Sequence, residues 1–253
     1  MLTEERYSMI LRLLEERGAV SVQELTDILG SSESTIRRDL AALHQEGRLN
    51  KVHGGATALR GTYHTEEYPV FIKQEMNMAE KARIARHAAS LISDYDLVFL
   101  DAGTTTGCMA EFMAAKNITV ITNGILIAKR LADRGQAVSV TGGRVKCTTE
   151  ALVGGETLDA LRRFNFSVGF FGANGVSLEA GFTTPDVDEA RVKTEAMRRC
   201  RRCYMLADSS KFGQVRPGYF AELEEIDEIV TDDGLSREWQ ELIAEKDIPL
   251  HLV

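Results

Sequence analysis

The stretch SSESTIRRDL at residues 31–40, followed by VHGGA at residues 52–56, decides how the first part of this chain folds. Its two leading serines favour the start of a helix, and Ile36, Leu40 and Leu43 recur at the spacing of one buried helical face. The glycine pair that follows a short alternating segment indicates the turn of a β-hairpin. The sequence therefore predicts a helix followed by a hairpin.

Two shorter helical patterns precede this helix. Gly18 and Gly30 end them, and Ser21 with Glu24 three residues later forms a capping box between them. The buried face of the first pattern is predicted to contain Tyr7, Ile10, Leu11 and Leu14, and that of the second Val22, Leu25, Ile28 and Leu29. Two helices joined by a short glycine-containing turn, with a hairpin after them, predict a winged helix-turn-helix.

The outward face of the third helix has the chemistry that reads DNA. An arginine presents a planar fork that can bond guanine or grip a phosphate, and hydroxyls at a helix start can reach base edges. The candidate DNA-binding residues are Ser34, Thr35, Arg37 and Arg38 on the helix, with Lys51 and His53 on the hairpin. The alternative from these residues alone is a three-helix packing module with a solvated basic face.

Composition limits the class of protein. The net charge of −8 over 253 residues argues against a protein that coats nucleic acid, but not against a local cationic surface. No apolar run approaches the about 20 residues of a membrane span, and the charged start is unlike a signal peptide, so we expect a cytoplasmic protein. Cys200 and Cys203 form a lone C-x-x-C where a helix precedes a strand, and nothing nearby completes a zinc site. We predict no metal and no cofactor.

The rest of the chain alternates between short apolar runs and helical patterns. A linker is expected at residues 57–70 and a helix at residues 71–92. Strands are then predicted at residues 97–100, 118–122, 137–141, 166–171, 203–207, 228–231 and 250–253, and helices at 105–115, 124–132, 157–164, 186–200 and 236–246. This order predicts an α/β domain in which helices cover both faces of a mainly parallel sheet.

Polar loops follow five of the predicted strands. Parallel strands end at one edge of their sheet, and ligands of such folds bind there. Candidate effector-binding residues at this edge are Asp101, Gly103, Thr104, Thr105, Thr106, Thr122, Asn123, Gly142, Gly143, Arg144, Lys146, Asn174 and Lys211. Glycines let the backbone approach an anion, while hydroxyls, amides and cations suit a polyhydroxy phosphate. Each loop alone is also explained as an ordinary turn.

Three further residues lie on the helix predicted at residues 186–200. Asp188 and Glu189 can bind sugar hydroxyls, or can simply stabilise the first turn of the helix through its dipole. Lys193 lies one turn after Glu189, and the two can form a local pair on the helix surface. Both interpretations stay open at the level of the sequence.

The longer motifs resemble one bacterial family. The segments STIRRDL at residues 34–40 and VHGGA at 52–56 are similar to the DNA-binding signature of DeoR-type repressors. The segments DAGTT at residues 101–105, TN at 122–123, GG at 142–143 and DSSKFG at 208–213 resemble the effector domain of that family. The resemblance implies a winged helix-turn-helix at residues 1–57, a linker at 58–72 and an effector domain at 73–253 related to ribose-5-phosphate isomerase and CoA transferases.

Within that family, GFTTPD at residues 181–186 followed by DEA at 188–190 is similar to the fructose-operon repressors. Cys147 departs from the subgroup, where a basic residue is expected. The resemblance implies a repressor of a fructose-utilisation operon that is released from double-stranded DNA by fructose 1-phosphate. It further implies a homodimer or homotetramer, since operators of such proteins consist of repeated half-sites.

Two alternatives to a repressor remain. One is a sugar-phosphate isomerase with an accessory DNA-binding domain. Where the related isomerases have Asp, Lys and Glu for proton transfer, this chain has Asn174, Thr184 and Lys193, which favours a sensor. Asp188 or Glu189 could still supply a base. The other alternative is an activator, because the sign of control depends on where the operator lies.

Overall fold

A small antiparallel sheet packs with three helices in the N-terminal part of the protein. The computed structural model describes residues 3–52, 54–57 and 69–253, and these divide into two compact units, Met1–Thr62 and Tyr63–Val253. The elements of the first unit are α1 (Thr3–Arg17), β1 (Ala19–Ser21), α2 (Val22–Leu29), α3 (Glu33–Gln45), β2 (Asn50–Val52) and β3 (Gly55–Thr57).

The caps of this unit form where the sequence places them. Ser21 and Glu24 complete a capping box at the start of α2, and Ser32 accepts a hydrogen bond from the amide of Thr35 at the start of α3. Gly30 adopts a left-handed conformation with φ 58° and ends α2. The predicted winged helix-turn-helix is confirmed, with one strand, β1, that the sequence did not reveal.

The core of the first unit contains almost all of the predicted apolar residues. Ile10, Leu25, Ile36, Leu40 and Leu43 are fully buried. The prediction for Ile28 is wrong, because its side chain is 43% exposed. A helix of eight residues buries a narrow stripe, and Val22, Leu25 and Leu29 already fill it. Strand β3 pairs antiparallel with both β1 and β2 and forms the predicted hairpin with β2.

The second unit is an α/β domain. Its helices are α4 (Val70–Glu75), α5 (Met78–Ser90), α6 (Thr104–Cys108), α7 (Ile125–Asp133), α8 (Gly155–Leu161), α9 (Val187–Arg198) and α10 (Arg237–Glu245). Its strands are β4 (Leu97–Leu100), β5 (Thr119–Thr122), β6 (Val138–Val140), β7 (Arg144–Lys146), β8 (Ala151–Val153), β9 (Val168–Gly172), β10 (Gly175–Ser177), β11 (Gly181–Thr184), β12 (Cys203–Leu206), β13 (Gly218–Ala221), β14 (Glu228–Thr231) and β15 (Leu250–Leu252).

Seven of these strands form one sheet in the order β15-β14-β12-β9-β4-β5-β6, and all neighbours are parallel. Side chains alternate across it, so that Phe99 joins one apolar core while Val98 and Leu100 join another. The predicted parallel sheet with both faces covered is confirmed. All five polar loops therefore lie along the carboxyl edge of one sheet.

The structure corrects several predicted elements. The helix expected at residues 71–92 is two helices, α4 and α5, because Met76 is extended and Asn77 is left-handed with φ 50°. The helix expected at residues 105–115 ends at Cys108 and continues only as a 3-10 turn over Met109–Glu111. The sequence also did not reveal the β7–β8 hairpin or the small antiparallel sheet of β10, β11 and β13.

Most of the predicted linker lies outside the described residues, which resume at Pro69 just before α4. Across the part of the chain that the structure describes, no helix has both the length and the apolar character that a membrane crossing requires. The C-x-x-C cysteines lie at the predicted junction, between the end of α9 and the start of β12.

Candidate functional site

The outward face of α3 is a polar surface at the start of a well-capped helix. Ser34, Arg37 and Arg38 are exposed, and Thr35 is half-buried. The hydroxyl of Ser32 lies 3.0 Å from that of Ser34 and 2.9 Å from that of Thr35. Arg37 donates from Nε to Glu33 at 2.9 Å, whereas Arg38 has no ion pair or hydrogen bond from its side chain within the described residues. The guanidinium of Arg38 is thus available to an anion.

An ion pair fixes α3 against α1. Arg6 donates from Nε and Nη2 to the two carboxylate oxygens of Asp39, at 2.8 and 3.1 Å. The side chains are only 12% and 4% exposed, so the pair is shielded from salt. This bidentate contact sets the position of the helix that presents Arg38.

The hairpin adds one cation to this surface. Lys51 on β2 is exposed, and among the strands that the structure describes β2 is the outer strand of the small sheet, next to β3. His53, the other predicted hairpin residue, lies outside the described residues. The exposed cations of α3 and β2 together suit the phosphates of a duplex.

The carboxyl edge of the seven-stranded sheet is built around a buried ion pair. Lys193 of α9 donates to Asp101, which follows β4, and their side chains are 5% and 2% exposed. Lys193 also donates to the carbonyl of Gly172 at 2.9 Å, and the amide of Gly172 donates to Asp101 at 3.2 Å. The predicted local pair of Lys193 with Glu189 is wrong, because β4 and β9 bring Asp101 within reach instead.

Hydrogen bonds to its neighbours hold the loop after β4 in place. Asn123 accepts from the amide of Ala102 at 2.8 Å, and Thr106 donates to the carbonyl of Asp101 at 2.7 Å. Thr122 donates to the carbonyl of Leu100 at 2.6 Å. These three predicted site residues therefore shape the loop, whereas Gly103 is exposed, Thr104 is half-buried and Thr105 is buried.

A second cluster joins the β7–β8 hairpin to α9. Glu189 is buried and accepts from Thr149 at 2.5 Å and from Lys146 at 3.3 Å. Asp188 pairs with Arg144 at 2.9 Å in a more exposed position. The structure thus brings together four predicted residues from two distant segments, and Glu189 does more than stabilise the first turn of its helix.

The turn before this hairpin needs two glycines. Gly142 and Gly143 have φ of 77° and 109°, which other residues rarely adopt. A Cβ on Gly143 would lie 2.2 Å from the hydroxyl of Thr157 and 2.8 Å from the carbonyl of Val153. Gly142 is therefore required by its backbone conformation, whereas Gly143 also allows a close approach of neighbouring atoms and remains exposed at the edge.

The loop after β12 places Lys211 beside a buried carboxylate. Lys211 Nζ lies 3.8 Å from Asp208 and 3.2 Å from the hydroxyl of Ser210, and its side chain is 25% exposed. Asn77 donates to Asp208 at 3.0 Å. Burial alone would raise the pKa of Asp208, but Lys211, Ser210 and other neighbours outweigh it and lower that pKa. Asp208 is therefore an anion with a loosely held cation.

Sequence reasoning missed three cations at or beside this edge. Lys81 of α5 is buried among the apolar residues of that helix, and burial lowers its pKa to about 8. Arg216 is buried and donates to the carbonyl of Asn174 at 3.4 Å. Arg130 lines a pocket that also contains Gly103, Thr104 and Gly124. The position of Lys81 on the apolar face of a predicted helix, three residues before Ile84, could have indicated its burial. The positions of Arg216 and Arg130 depend on tertiary contacts that the sequence does not show.

Asn174 lies in the short loop between β9 and β10, and its amide oxygen accepts from Thr184 at 3.2 Å. Thr184 also lies 3.4 Å from Glu189, so these residues form one hydrogen-bonded group. The carboxylate of Glu189 is engaged by a cation and two hydroxyls. This carboxylate already has partners within the protein, which suits binding better than proton transfer.

Comparison with known proteins identifies both units. Residues 6–62 match the DeoR-like helix-turn-helix domain, and residues 76–233 match the DeoR C terminal sensor domain. The uncharacterized HTH-type transcriptional regulator FruR of Bacillus subtilis is 42% identical over 233 residues, which cover 92% of this chain and 92% of FruR. The lactose phosphotransferase system repressor of Staphylococcus epidermidis is 36% identical over 240 residues, covering 91% of this chain and 92% of that repressor.

Among solved structures, ribose 5-phosphate isomerase from Plasmodium falciparum is similar with a TM-score of 0.39 at 12% identity, over 53% of this chain and 52% of the isomerase. The two domain matches and the relatives that align over nearly the whole chain identify its family. The chain belongs to the DeoR family and is a DNA-binding transcriptional regulator, not an enzyme.

Proposed function

We propose that this regulator represses a fructose-utilisation operon and leaves its operator when fructose 1-phosphate binds to the second unit. The observation that carries the proposal is that cations at the carboxyl edge of the sheet, Lys211 and Lys146 among them, have carboxylates of the protein as partners. A phosphate that enters there can replace a carboxylate as the partner of a lysine. Ligand binding is then coupled to a change of internal contacts.

The phosphate is expected near Lys211 and the loop after β4. Strands β12 and β4 are separated only by β9, so their ends lie about 10 Å apart. A lysine side chain and a sugar phosphate together span that distance. Gly103, Thr104 and Thr105 offer amides and hydroxyls, and the contact between Lys211 and Asp208 is long enough to be exchanged.

The sugar hydroxyls are expected between Asn174 and the cluster around Glu189. Asn174 follows β9 in the middle of the edge, and the carboxylates of Asp188 and Glu189 accept hydrogen bonds. Arg144 and Lys146 lie beside these carboxylates and can rearrange with them. A site that hydrogen-bonds a sugar hydroxyl discriminates strongly against a sugar that lacks it, because a buried polar group of the protein is then left without a partner.

Two observations favour fructose 1-phosphate over other sugar phosphates. The segment GFTTPD at residues 181–186 is similar to the fructose-operon repressors, and it contributes Thr184 to the hydrogen-bonded group at the edge. The identity with FruR is the highest among the relatives compared above. Both support the proposal that the effector is fructose 1-phosphate.

On DNA, α3 is proposed to lie in the major groove with Ser34, Thr35, Arg37 and Arg38 at base edges and phosphates. Lys51 and His53 are proposed to contact the backbone. A homodimer or homotetramer would present such helices to repeated half-sites. A useful change in operator affinity of about 100-fold requires the effector to favour the released form by about 2.7 kcal/mol.

A gel-shift titration tests this proposal. Fructose 1-phosphate should release the full chain from the operator beside its own gene, and fructose 6-phosphate and ribose 5-phosphate should be much weaker. Lys211→Ala should stay on DNA in the presence of the sugar phosphate, whereas Lys129→Ala, which removes an exposed lysine paired with Asp133, should respond normally. If no sugar phosphate at millimolar concentration changes operator binding, the sensor proposal is wrong.

A further inference from the structure

A cluster of two histidines and a glutamate lies apart from the edge where the effector is proposed to bind. His87 is in the last turn of α5, Glu228 begins β14, and His251 is in β15, the next strand of the sheet. One potential ligand atom from each residue, an imidazole nitrogen or a carboxylate oxygen, lies within 4.8 Å of the other two. Since Glu228 begins its strand, the cluster is on the amino side of the loops that follow the strands.

The buried nitrogen of His87 is the most informative feature of the cluster. Its Nε2 atom is inaccessible to solvent and has no hydrogen-bond partner within the described residues. A buried imidazole nitrogen normally has a partner, and an exception points to a missing water or ion. An electron-pair acceptor beside His251 would satisfy it.

The other two residues supply a ligand set and an entry path. His251 Nδ1 lies 3.7 Å from Glu228 Oε1, and the side chains are 42% and 21% exposed. The two imidazole rings stack with centroids 3.5 Å apart and 13° between their planes. The ring planes are therefore nearly parallel, and the His251 side chain has to rotate out of the stack before both imidazoles can coordinate one ion.

We propose that His87, Glu228 and His251 form a site for a borderline divalent ion, with Zn²⁺ as the best fit. Two imidazoles and one carboxylate are a known zinc ligand set, and the exposed side leaves a fourth position for water. Calcium and magnesium prefer oxygen ligands and fit two imidazoles poorly. The sequence offers no spacing signal, because the three ligands are far apart in the chain and only the fold assembles them.

The ion would act on stability, since it ties α5 to the last two strands of the sheet. Helix α5 already contacts the loop after β14 through Arg83, which pairs with Asp233 at 2.8 Å. The site uses none of the residues proposed for the sugar phosphate. Its failure would leave the proposed function intact, and the converse also holds.

Zinc binding by the full-length protein tests the proposal. The protein is stripped with a chelator and then titrated with Zn²⁺ by calorimetry, with Co²⁺ absorption to identify the ligands. The measurement is made in a Cys147→Ser background, because Cys147 is exposed and can bind zinc itself. We expect one ion per chain, a Co²⁺ spectrum without thiolate charge-transfer bands, and a higher Tm with Zn²⁺.

Two variants distinguish this site from adventitious binding. His251→Gln and Glu228→Gln alter partly exposed side chains, and each should weaken Zn²⁺ at least tenfold and abolish the rise in Tm. Glu224→Gln is the control, because Glu224 is a partly exposed carboxylate paired with Lys246 elsewhere on the same unit. The proposal is overturned if the parent binds no zinc, if the first two variants bind as tightly as the parent, or if the control loses binding equally.

Discussion

The outward face of α3 and the carboxyl edge of the seven-stranded sheet are both polar, but they differ in where their partners come from. On α3, Ser34 and Arg38 face solvent, and the guanidinium of Arg38 has no partner within the described residues. At the sheet edge, Lys193 and Glu189 are buried and bind other side chains of the protein. The face of α3 can therefore bind the phosphates of DNA without breaking contacts inside the protein. A ligand at the sheet edge has to replace existing side-chain partners, and such a replacement can change the conformation of a sensor domain.

The largest effect is expected from breaking the buried pair at the sheet edge. Lys193→Ala leaves Asp101 as a buried, uncompensated charge and should lower the free energy of unfolding by about 3–5 kcal/mol. Trp239, the single tryptophan, lies in α10 and reports on this unit during urea denaturation.

The matched control for that experiment is Lys129→Ala, which breaks an exposed pair with Asp133. It should change the free energy of unfolding by no more than about 0.5 kcal/mol. Equal effects of the two variants would mean that the buried pair does not organise the edge.

The next effect is expected on the DNA side of the comparison. Arg38→Ala removes a cation that has no partner within the described residues. It should therefore weaken operator binding by about 1–3 kcal/mol and leave the binding of the sugar phosphate unchanged. Fluorescence anisotropy with labelled operator measures it, and calorimetry should show unchanged affinity for the sugar phosphate. Arg17→Ala, an exposed arginine at the end of α1, is the control. Loss of sugar-phosphate binding in Arg38→Ala would contradict the separation of the two surfaces.

A smaller effect concerns the pH dependence of the sensor unit. Burial lowers the pKa of Lys81 to about 8 from an ordinary value of 10.5, so the unfolded chain binds more protons between these values. The contribution of Lys81 to stability should therefore rise with pH, by about 1 kcal/mol between pH 7 and pH 9. Urea denaturation at several pH values measures it, and Lys81→Met should remove this rise. An identical pH profile in the variant would place the effect elsewhere.

The smallest effect is expected from a cap in the first unit. Ser21→Ala removes the hydroxyl that accepts from the amide of Glu24 at 3.1 Å. Because the cap is exposed, the cost should be about 0.5–1 kcal/mol, with faster amide hydrogen exchange in α2. Ser8→Ala is the control, since Ser8 bonds only the carbonyl of Glu4 within its own helix. Equal exchange in both variants would show that the capping box is dispensable.

The first unit could be predicted almost completely, because its signals are local. Ser21, Ser32 and Gly30 act on residues within one turn, and apolar spacing identifies the buried faces. The parallel sheet was equally accessible, since its central strands are short apolar runs with polar loops after them. The burial of Ile28 was predicted wrongly because the width of the buried face of a helix depends on neighbouring elements, which the sequence does not specify.

The contacts of the effector site could not be predicted from spacing. Lys193 has a suitable partner four residues earlier in Glu189, yet it pairs with Asp101, which the fold brings close from 92 residues away. Strands β7 and β10 contain three residues each, which is too short for an alternation of apolar and polar residues to be recognised. Which loops lie next to each other at the carboxyl edge depends on the order of the strands in the sheet, and the sequence does not give that order.

The most direct test of the central claim measures one ligand in the presence of the other. Titration of fructose 1-phosphate into the full chain, with and without saturating operator DNA, gives two affinities whose ratio must equal the ratio of operator affinities with and without the sugar phosphate. We expect the sugar phosphate to bind about 100-fold more weakly to the DNA-bound protein than to the free protein. Equal affinities in the two titrations would contradict it.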